Sequence, residues 1–236
     1  MGYEPMNESW QMAGERHETL GQYVAKTYLW MFAGLLVTFG IALAGYVTGA
    51  ILYVFQVPYA SLALTGLELL TVIWLSARIH KLSVGAARGL FLFYAALNGV
   101  VFSMYFLIFG VVEMVFVFAA TALFFGMMAG VSLIFKLDLS GIRPLLVGGL
   151  LFLILFGLLS MFLNLGSFET VLCYAGIVVF LGFTAYDTTT IPDNYQIFSA
   201  DPELLQKASV FSALQLYLDF INLFLYIIRL MNRNRK

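Results

Sequence analysis

The stretch 214-LQLYLDFINLFLYIIRLM-231 is apolar enough to form a membrane-spanning helix, yet it contains Asp219 near its middle and Arg229 near its end. A charged side chain at the centre of a membrane helix costs about 2.5 to 3.5 kcal/mol on insertion scales, so such residues are usually paired or face a cavity. On a helical wheel of the whole apolar segment 209–230, the strongly polar side chains occupy about a third of the circumference. They are Ser212, Gln215, Asp219, Asn222, Tyr226 and Arg229. This polar stripe predicts that the helix packs against protein or lines a cavity.

The composition of the whole chain also indicates a membrane protein. Of its 236 residues, 62% are hydrophobic, 17% are aromatic and only 11% are charged, which is more apolar surface than a soluble domain can bury. The formal net charge is -1, and the chain has no Gly-rich phosphate loop, zinc-type Cys/His cluster or basic-aromatic stripe. These features argue against nucleotide and nucleic-acid binding. The single cysteine, Cys173, excludes an internal disulfide.

Seven apolar segments are long enough to cross a bilayer, because about 20 mainly apolar residues span its hydrocarbon core. They lie near 27–49, 58–77, 86–108, 112–135, 144–163, 168–187 and 209–230. A transmembrane barrel would instead need shorter strands of alternating hydrophobicity. The sequence therefore predicts an all-α, seven-transmembrane-helix bundle over residues 27–230. A polar N-terminal arm at 1–26 precedes it, and a short basic tail at 231–236 follows it.

The basic residues of the short loops predict the orientation, because lysine and arginine are enriched on the cytoplasmic side. With a cytoplasmic N-terminus, the arm and the loops on that side hold eight basic residues, and the loops on the opposite side hold none. The eight are Arg16, Lys26, Arg78, Lys81, Arg88, Lys136, Arg143 and Lys207. The basic residues of the tail do not follow this rule, because an odd number of spans places the tail on the side opposite the cytoplasm. We expect a cytoplasmic N-terminus and leave the side of the tail open.

Two further acidic residues lie at membrane depth, Glu68 in the second segment and Asp187 at the end of the sixth. Arg78 follows Glu68 by about 15 Å along the helix axis, too far to neutralise it within its own helix. Glu68 therefore needs a partner on another helix, or a proton. Asp187 lies at the last apolar turn before Pro192, where a carboxylate opposes the helix dipole. Neither position favours purely local stabilisation.

Two motifs resemble those of a known family. The stretches 184-TAYDTTTI-191 and 216-LYLDFINLFLYIIRLMNRNRK-236 are similar to signatures of the Bax inhibitor (TMBIM) family, in particular its bacterial YccA/YbhL-like members. The resemblance implies a membrane bundle whose seventh helix is surrounded by the others. It also implies that Asp187 and Asp219 form a paired-aspartate pH sensor. The candidate residues of the ion pathway or gate are Glu68, Arg78, Asn222 and Arg229.

The function that this resemblance implies is a pH-sensitive calcium leak channel of the bacterial inner membrane. Two carboxylates held close in a low-dielectric site do not readily both ionise, so they can share one proton. Calcium prefers several oxygen ligands, and Asp187 with Asp219 can supply a weak, transient site. Arg78, if it reaches the pair, would favour the ionised carboxylates and act as a latch. Calcium is then the permeant ion, and we expect no resident cofactor.

Other functions are compatible with acidic residues in membrane helices. Intramembrane aspartyl proteases use two aspartates, but Asp219 follows "LYL" where presenilin-type enzymes have Gly-x-Gly. A retinal protein needs a lysine within a helix, and the seven segments contain none. We therefore expect no enzyme. A stronger alternative is a membrane interaction protein, since the resemblance implies a partner such as the FtsH protease or stress and cell-death machinery.

A purely structural role is also open for these residues. Asp187, Asp219 and Glu68 would then only join helices, at about 0.6 kcal/mol per hydrogen bond. Arg78 and Arg229 would be interfacial anchors whose apolar stems lie along the membrane.

Overall fold

Helices account for all regular secondary structure in the described part of the chain. The computed structural model describes residues 18–78, 81–135, 138–162 and 168–233. Its helices are α1 (Leu20–Val47), α2 (Ala50–Gln56), α3 (Ala60–Arg78), α4 (Val84–Phe109), α5 (Val111–Phe135), α6 (Arg143–Phe162), α7 (Glu169–Phe198) and α8 (Pro202–Arg233). A 3-10 turn at Ser140–Ile142 precedes α6. The all-α prediction is confirmed for these residues.

The first helix begins earlier than predicted, inside the segment assigned to the polar arm. Thr19 caps α1: its hydroxyl accepts from the Gln22 backbone N–H at 3.3 Å, and the Gln22 side chain accepts from the Thr19 N–H at 2.9 Å. This reciprocal capping box satisfies two backbone donors at the helix start. Residues 20–26 are therefore helical. Residues 1–17 of the predicted arm and 234–236 of the predicted tail lie outside the described residues.

The sixth predicted segment ends too early. Helix α7 continues past Asp187 and through Pro192 as far as Phe198. Pro192 lacks a backbone donor, while the Thr189 and Thr190 hydroxyls both donate to the Tyr186 carbonyl, at 2.8 and 3.0 Å. The carbonyl that loses its usual donor to Pro192 is that of Thr188, four residues earlier, so these hydroxyls do not replace the missing bond. Asp187 therefore lies within the helix, eleven residues before its end, and does not face an unfavourable helix terminus.

The last two helices form an antiparallel hairpin with a short turn. The Asp201 carboxylate accepts from the Glu203 and Leu204 backbone N–H groups at 2.9 and 3.0 Å, which caps the start of α8. Pro202 occupies the first helical position, where its missing N–H costs nothing. These caps explain why α8 begins seven residues before the predicted segment. At the other end of the hairpin, Arg233 pairs with Glu169 at 3.1 Å.

Six helical stretches in the described residues are long and apolar enough to cross a membrane. They correspond to α1, α4, α5, α6, α7 and α8. Helix α3 is not among them, and its 19 residues include Thr65, Glu68 and Thr71. Many large apolar side chains elsewhere are exposed, such as Leu29 at 69% and Phe116 at 73%. Exposed apolar faces on this scale are those of a membrane protein.

Helix α8 is the most buried of the six candidate spans. In its most apolar window 61% of the residues are buried, against 50% for α4 and at most 28% for each of the others. It packs against α7, α1, α5 and α4. The prediction that the polar stripe of this helix meets protein is consistent with this packing.

Candidate functional site

Two buried carboxyl groups meet between α7 and α8. Asp187 on α7 is 7% exposed and Asp219 on α8 is 4% exposed. Their carboxyl groups lie within hydrogen-bonding reach of one another. The Gln215 amide, one turn before Asp219, donates to Asp187 Oδ1 at 3.5 Å. The structure thus brings together the two aspartates that the sequence analysis singled out.

A second polar contact lies in the same interface between α7 and α8, two helical turns from Asp187 and Asp219. The Asn194 amide donates to the Ser212 hydroxyl at 3.1 Å. Asn194 follows Asp187 by seven residues, and Ser212 precedes Asp219 by seven. Residues seven apart return to the same helix face about 10.5 Å along the axis. The antiparallel register of α7 and α8 therefore places both polar pairs on one interface.

The aspartate pair needs a proton to satisfy its buried oxygens. Asp219 Oδ2 is buried and has no hydrogen-bond donor among the described residues. A buried polar atom without a partner is costly, and two adjacent carboxylates also repel each other. One proton between Asp187 and Asp219 supplies the missing donor. Arg143, at the start of α6, is close enough to interact electrostatically with Asp187, and a cation there favours an ionised carboxylate.

A second polar cluster includes Glu68 of α3. It lies on a different face of α8 from the aspartate pair. The Glu68 Oε1 is buried and without a hydrogen-bond partner in the described chain. Glu68 is close enough to Tyr94 and Tyr217 to interact electrostatically with both. Thr38 donates to the Ala95 carbonyl at 2.8 Å and lies 2.7 Å from the Tyr217 hydroxyl. Because the single Thr38 proton is used for Ala95, Tyr217 is the donor to Thr38.

Replacing Tyr217 by phenylalanine should lower the stability of the bundle by about 0.6 to 1.7 kcal/mol, the range measured for interhelical hydrogen bonds in a membrane protein. The substitution removes only the hydroxyl, since the ring is fully buried and retains its packing. Thermal unfolding of the purified protein measures the loss. The control is Tyr53→Phe, because Tyr53 is 73% exposed. Equal unfolding temperatures for the two variants would show that the Tyr217–Thr38 contact contributes nothing.

The other predicted gate residues do not contact the aspartate pair. Arg78 is exposed at the end of α3, and no ion pair or hydrogen bond joins it to either aspartate in the described residues. The Asn222 amide donates to the Leu218 carbonyl of its own helix at 2.8 Å. The Arg229 guanidinium lies 5.6 Å from the centre of the Tyr226 ring, a cation–π arrangement. These three residues are separate from the site formed by Asp187 and Asp219.

Several residues near the two clusters were not singled out by sequence reasoning. Arg143 was counted only as a loop charge, although it interacts with Asp187. Tyr217 lies two residues before Asp219, which places it about 200° away on the helix and outside the polar stripe. A buried tyrosine in an apolar helix usually has a hydrogen-bond partner, and that is the one signal that pointed to it.

A cleft of about 640 Å³ opens along the part of α7 that carries Tyr186, Thr189 and Thr190. It lies at the end of the bundle where α1 begins and α5 ends, and Tyr186, which precedes Asp187, is among its lining residues. Its polar lining residues include Asp138, Ser140, Tyr186, Thr189, Thr190 and Gln196. Within the described residues, no group of three or more histidine, cysteine or acidic side chains is arranged to hold a metal ion.

Comparison with known proteins gives the family. A family model described as "Inhibitor of apoptosis-promoting Bax1" matches residues 20–236. The chain is 36% identical over 218 residues to the inner membrane protein YbhL of Escherichia coli K12, covering 92% of this chain and 93% of that protein. It is 34% identical over 226 residues to an uncharacterized protein of Deinococcus radiodurans, with coverage of 94% and 96%.

A third relative is also named as a membrane protein. An uncharacterized membrane protein of Streptococcus pyogenes serotype M3 is 30% identical over 224 residues, covering 91% of this chain and 94% of that protein. The matches extend over nearly the whole chain and include both aspartate-bearing helices. The chain therefore belongs to the Bax inhibitor family of membrane proteins.

Proposed function

We propose that this protein is a pH-sensitive calcium leak channel of a bacterial inner membrane, controlled by the proton occupancy of Asp187 and Asp219. One observation supports this above the others: two buried carboxyls, 7% and 4% exposed, lie within hydrogen-bonding reach on adjacent helices. A pair that needs one proton to satisfy its oxygens is sensitive to pH. A purely structural pair of side chains would not require two acids.

The proposed topology has seven crossings, with α3 as the seventh and α8 enclosed by its neighbours. Helix α3 is 19 residues long and has one acidic residue, Glu68, so its length is close to that of a bilayer span. The N-terminus is proposed to be cytoplasmic. Arg78 and Lys81 at the end of α3, and Arg143 at the start of α6, then lie on the cytoplasmic side, as the distribution of basic residues in short loops requires.

The proposed entry to the pathway is the cleft beside Tyr186 and Thr190. Hydroxyl and carboxylate oxygens line it, and these are the ligand atoms that calcium prefers. Asp187 and Asp219 together offer four carboxylate oxygens, fewer than the six to eight that calcium takes in a stable site. The pair therefore suits a permeant ion that stays briefly. Glu68 is proposed to be a further acidic residue on the path.

The proposed gating step is a change in the packing of α7 against α8. When Asp187 and Asp219 both ionise, the shared proton is lost and the carboxylates repel each other. Arg143 favours that ionised state electrostatically. Arg143 takes the role predicted for Arg78, because Arg143 lies close enough to interact electrostatically with Asp187.

Calcium flux into proteoliposomes across a series of pH values tests the proposal. We expect the wild-type protein to show a pH-dependent flux and Asp187→Asn to lose the pH dependence, because an amide cannot share a titrating proton with Asp219. Glu169→Gln is the matched control, since Glu169 is an exposed acid at the far end of the same helix, paired with Arg233. A wild-type flux with no pH dependence, or the same pH dependence in Asp187→Asn, would contradict the proposal.

A further inference from the structure

Six phenylalanines from four helices meet in one aromatic layer. The layer consists of Phe39 of α1, Phe102 of α4, Phe118 and Phe125 of α5, and Phe220 and Phe224 of α8. The Phe39 ring centre lies 4.6 Å from that of Phe118, 5.7 Å from Phe102 and 5.4 Å from Phe224. Phe220 lies 5.4 Å from Phe118 and 5.7 Å from Phe125. These contacts connect α1, α4, α5 and α8 across the interior of the bundle.

Along α8, the layer follows the Glu68 cluster in the direction of the C-terminal end of the helix. Tyr217, Phe220 and Phe224 are spaced by three and four residues, so they lie on one face of the helix. On α1, Thr38 of the hydroxyl cluster immediately precedes Phe39. An ion that reached Glu68 from the end where α8 begins would next meet the aromatic layer.

The layer is apolar and largely buried. Phe224 is 0% exposed, and Phe102 and Phe220 are each 2% exposed. Their rings pack in tilted and edge-to-face arrangements, which fill the space among the helices. A hydrated cation has no oxygen ligand there, and removing its water without replacement is costly. Apolar constrictions of this kind block ion conduction by excluding water.

We propose that the aromatic layer is the closed gate of the ion pathway, a dry barrier that must separate or take up water before calcium can pass. This inference rests on the proposed leak function. It also connects the gate to the proton site, because Phe220 directly follows Asp219 on α8.

The experiment compares polar and apolar replacements at one position of the layer. Phe224→Leu and Phe224→Ser are reconstituted as full-length protein into phosphatidylcholine–phosphatidylglycerol vesicles, and calcium flux is recorded at the pH of least wild-type leak. We expect Phe224→Ser to raise that leak by at least about tenfold, equivalent to about 1.4 kcal/mol of barrier. Phe224→Leu should remain close to wild type, because leucine keeps the constriction apolar. The control is Phe152→Ser, outside the layer on α6 and 50% exposed.

Unfolding curves and gel filtration show whether each variant is folded. Phe118→Ser provides a second test if Phe224→Ser does not fold, because Phe118 is only partly buried in the layer. Folded serine variants with wild-type leak, or equal leak in the serine and leucine variants, would overturn the gate.

The outcomes separate this inference from the proposed function. A pH-dependent wild-type flux without any increase in the serine variants would reject the gate and retain the proton sensor. A silent wild-type protein with leaky serine variants would support the gate and reject the sensor. Silence in both the wild-type protein and the serine variants would reject both.

Discussion

Replacing Gly99 by alanine is expected to destabilise the protein by about 1 to 3 kcal/mol, the usual cost of overpacking a close contact. A Cβ atom at Gly99 would lie 2.8 Å from the Thr38 carbonyl oxygen and 2.8 Å from the Ile41 Cβ. Neither atom is the end of a flexible side chain, so α1 and α4 must move apart to accept the methyl group. The α1–α4 contact is one of the two most extensive interhelical contacts among the described residues.

The matched control lies on the same helix. A Cβ atom at Gly89 of α4 would meet nothing within 4 Å, and alanine is a better helix former than glycine by up to about 1 kcal/mol. Gly89→Ala should therefore unfold at or above the wild-type temperature in the same detergent, whereas Gly99→Ala should unfold below it. Similar unfolding temperatures for the two variants would mean that α1 and α4 pack less closely than the structure shows.

The second large effect concerns the two aspartates acting as one unit. If one shared proton is the sensor, removing either carboxyl removes the whole response to pH. Asp187→Asn and Asp219→Asn should each abolish the pH dependence of calcium flux, and the double variant should lose nothing more. Groups that act as a unit are non-additive in this way, whereas independent groups contribute separately.

The sequence predicted the elements of this site because its polar residues are so few. Asp219 lies in an otherwise apolar segment, and its polar stripe predicted a protein neighbour. The structure supplies Asp187 of α7, which also accepts from Gln215 of the same stripe. The family resemblance is confirmed by a match over residues 20–236. The roles of the residues in sensing, permeation and gating stay predictions.

Other features depend on contacts between helices that a single-helix pattern does not contain. The Glu68 cluster needs Tyr94, Tyr217 and Thr38 from three different helices. Periodicity places Tyr217 opposite Asp219, so the polar stripe missed it. The expected reach of Arg78 depended on which helices are neighbours, and Arg143 is the cation that interacts with Asp187.

The helix boundaries failed where local chemistry overrides hydrophobicity. The criterion of about 20 mainly apolar residues ended the sixth predicted segment at Asp187, because the residues after it are polar and include Pro192. Hydroxyl bonds from Thr189 and Thr190 back to the helix accompany its continuation. The Thr19 capping box likewise starts α1 within a polar stretch. At the start of α1 side-chain hydrogen bonds, which apolar periodicity does not register, stabilise the helix.

The measurement that tests the central claim most directly is the pH dependence of calcium flux in a double-mutant cycle over wild type, Asp187→Asn, Asp219→Asn and the double variant. All four proteins are compared in the same vesicles, with folding checked by thermal unfolding. A single shared-proton sensor predicts a pH-dependent flux for wild type and the same flat profile for both single variants and the double variant. Partial, additive losses of pH dependence in the single variants would contradict it.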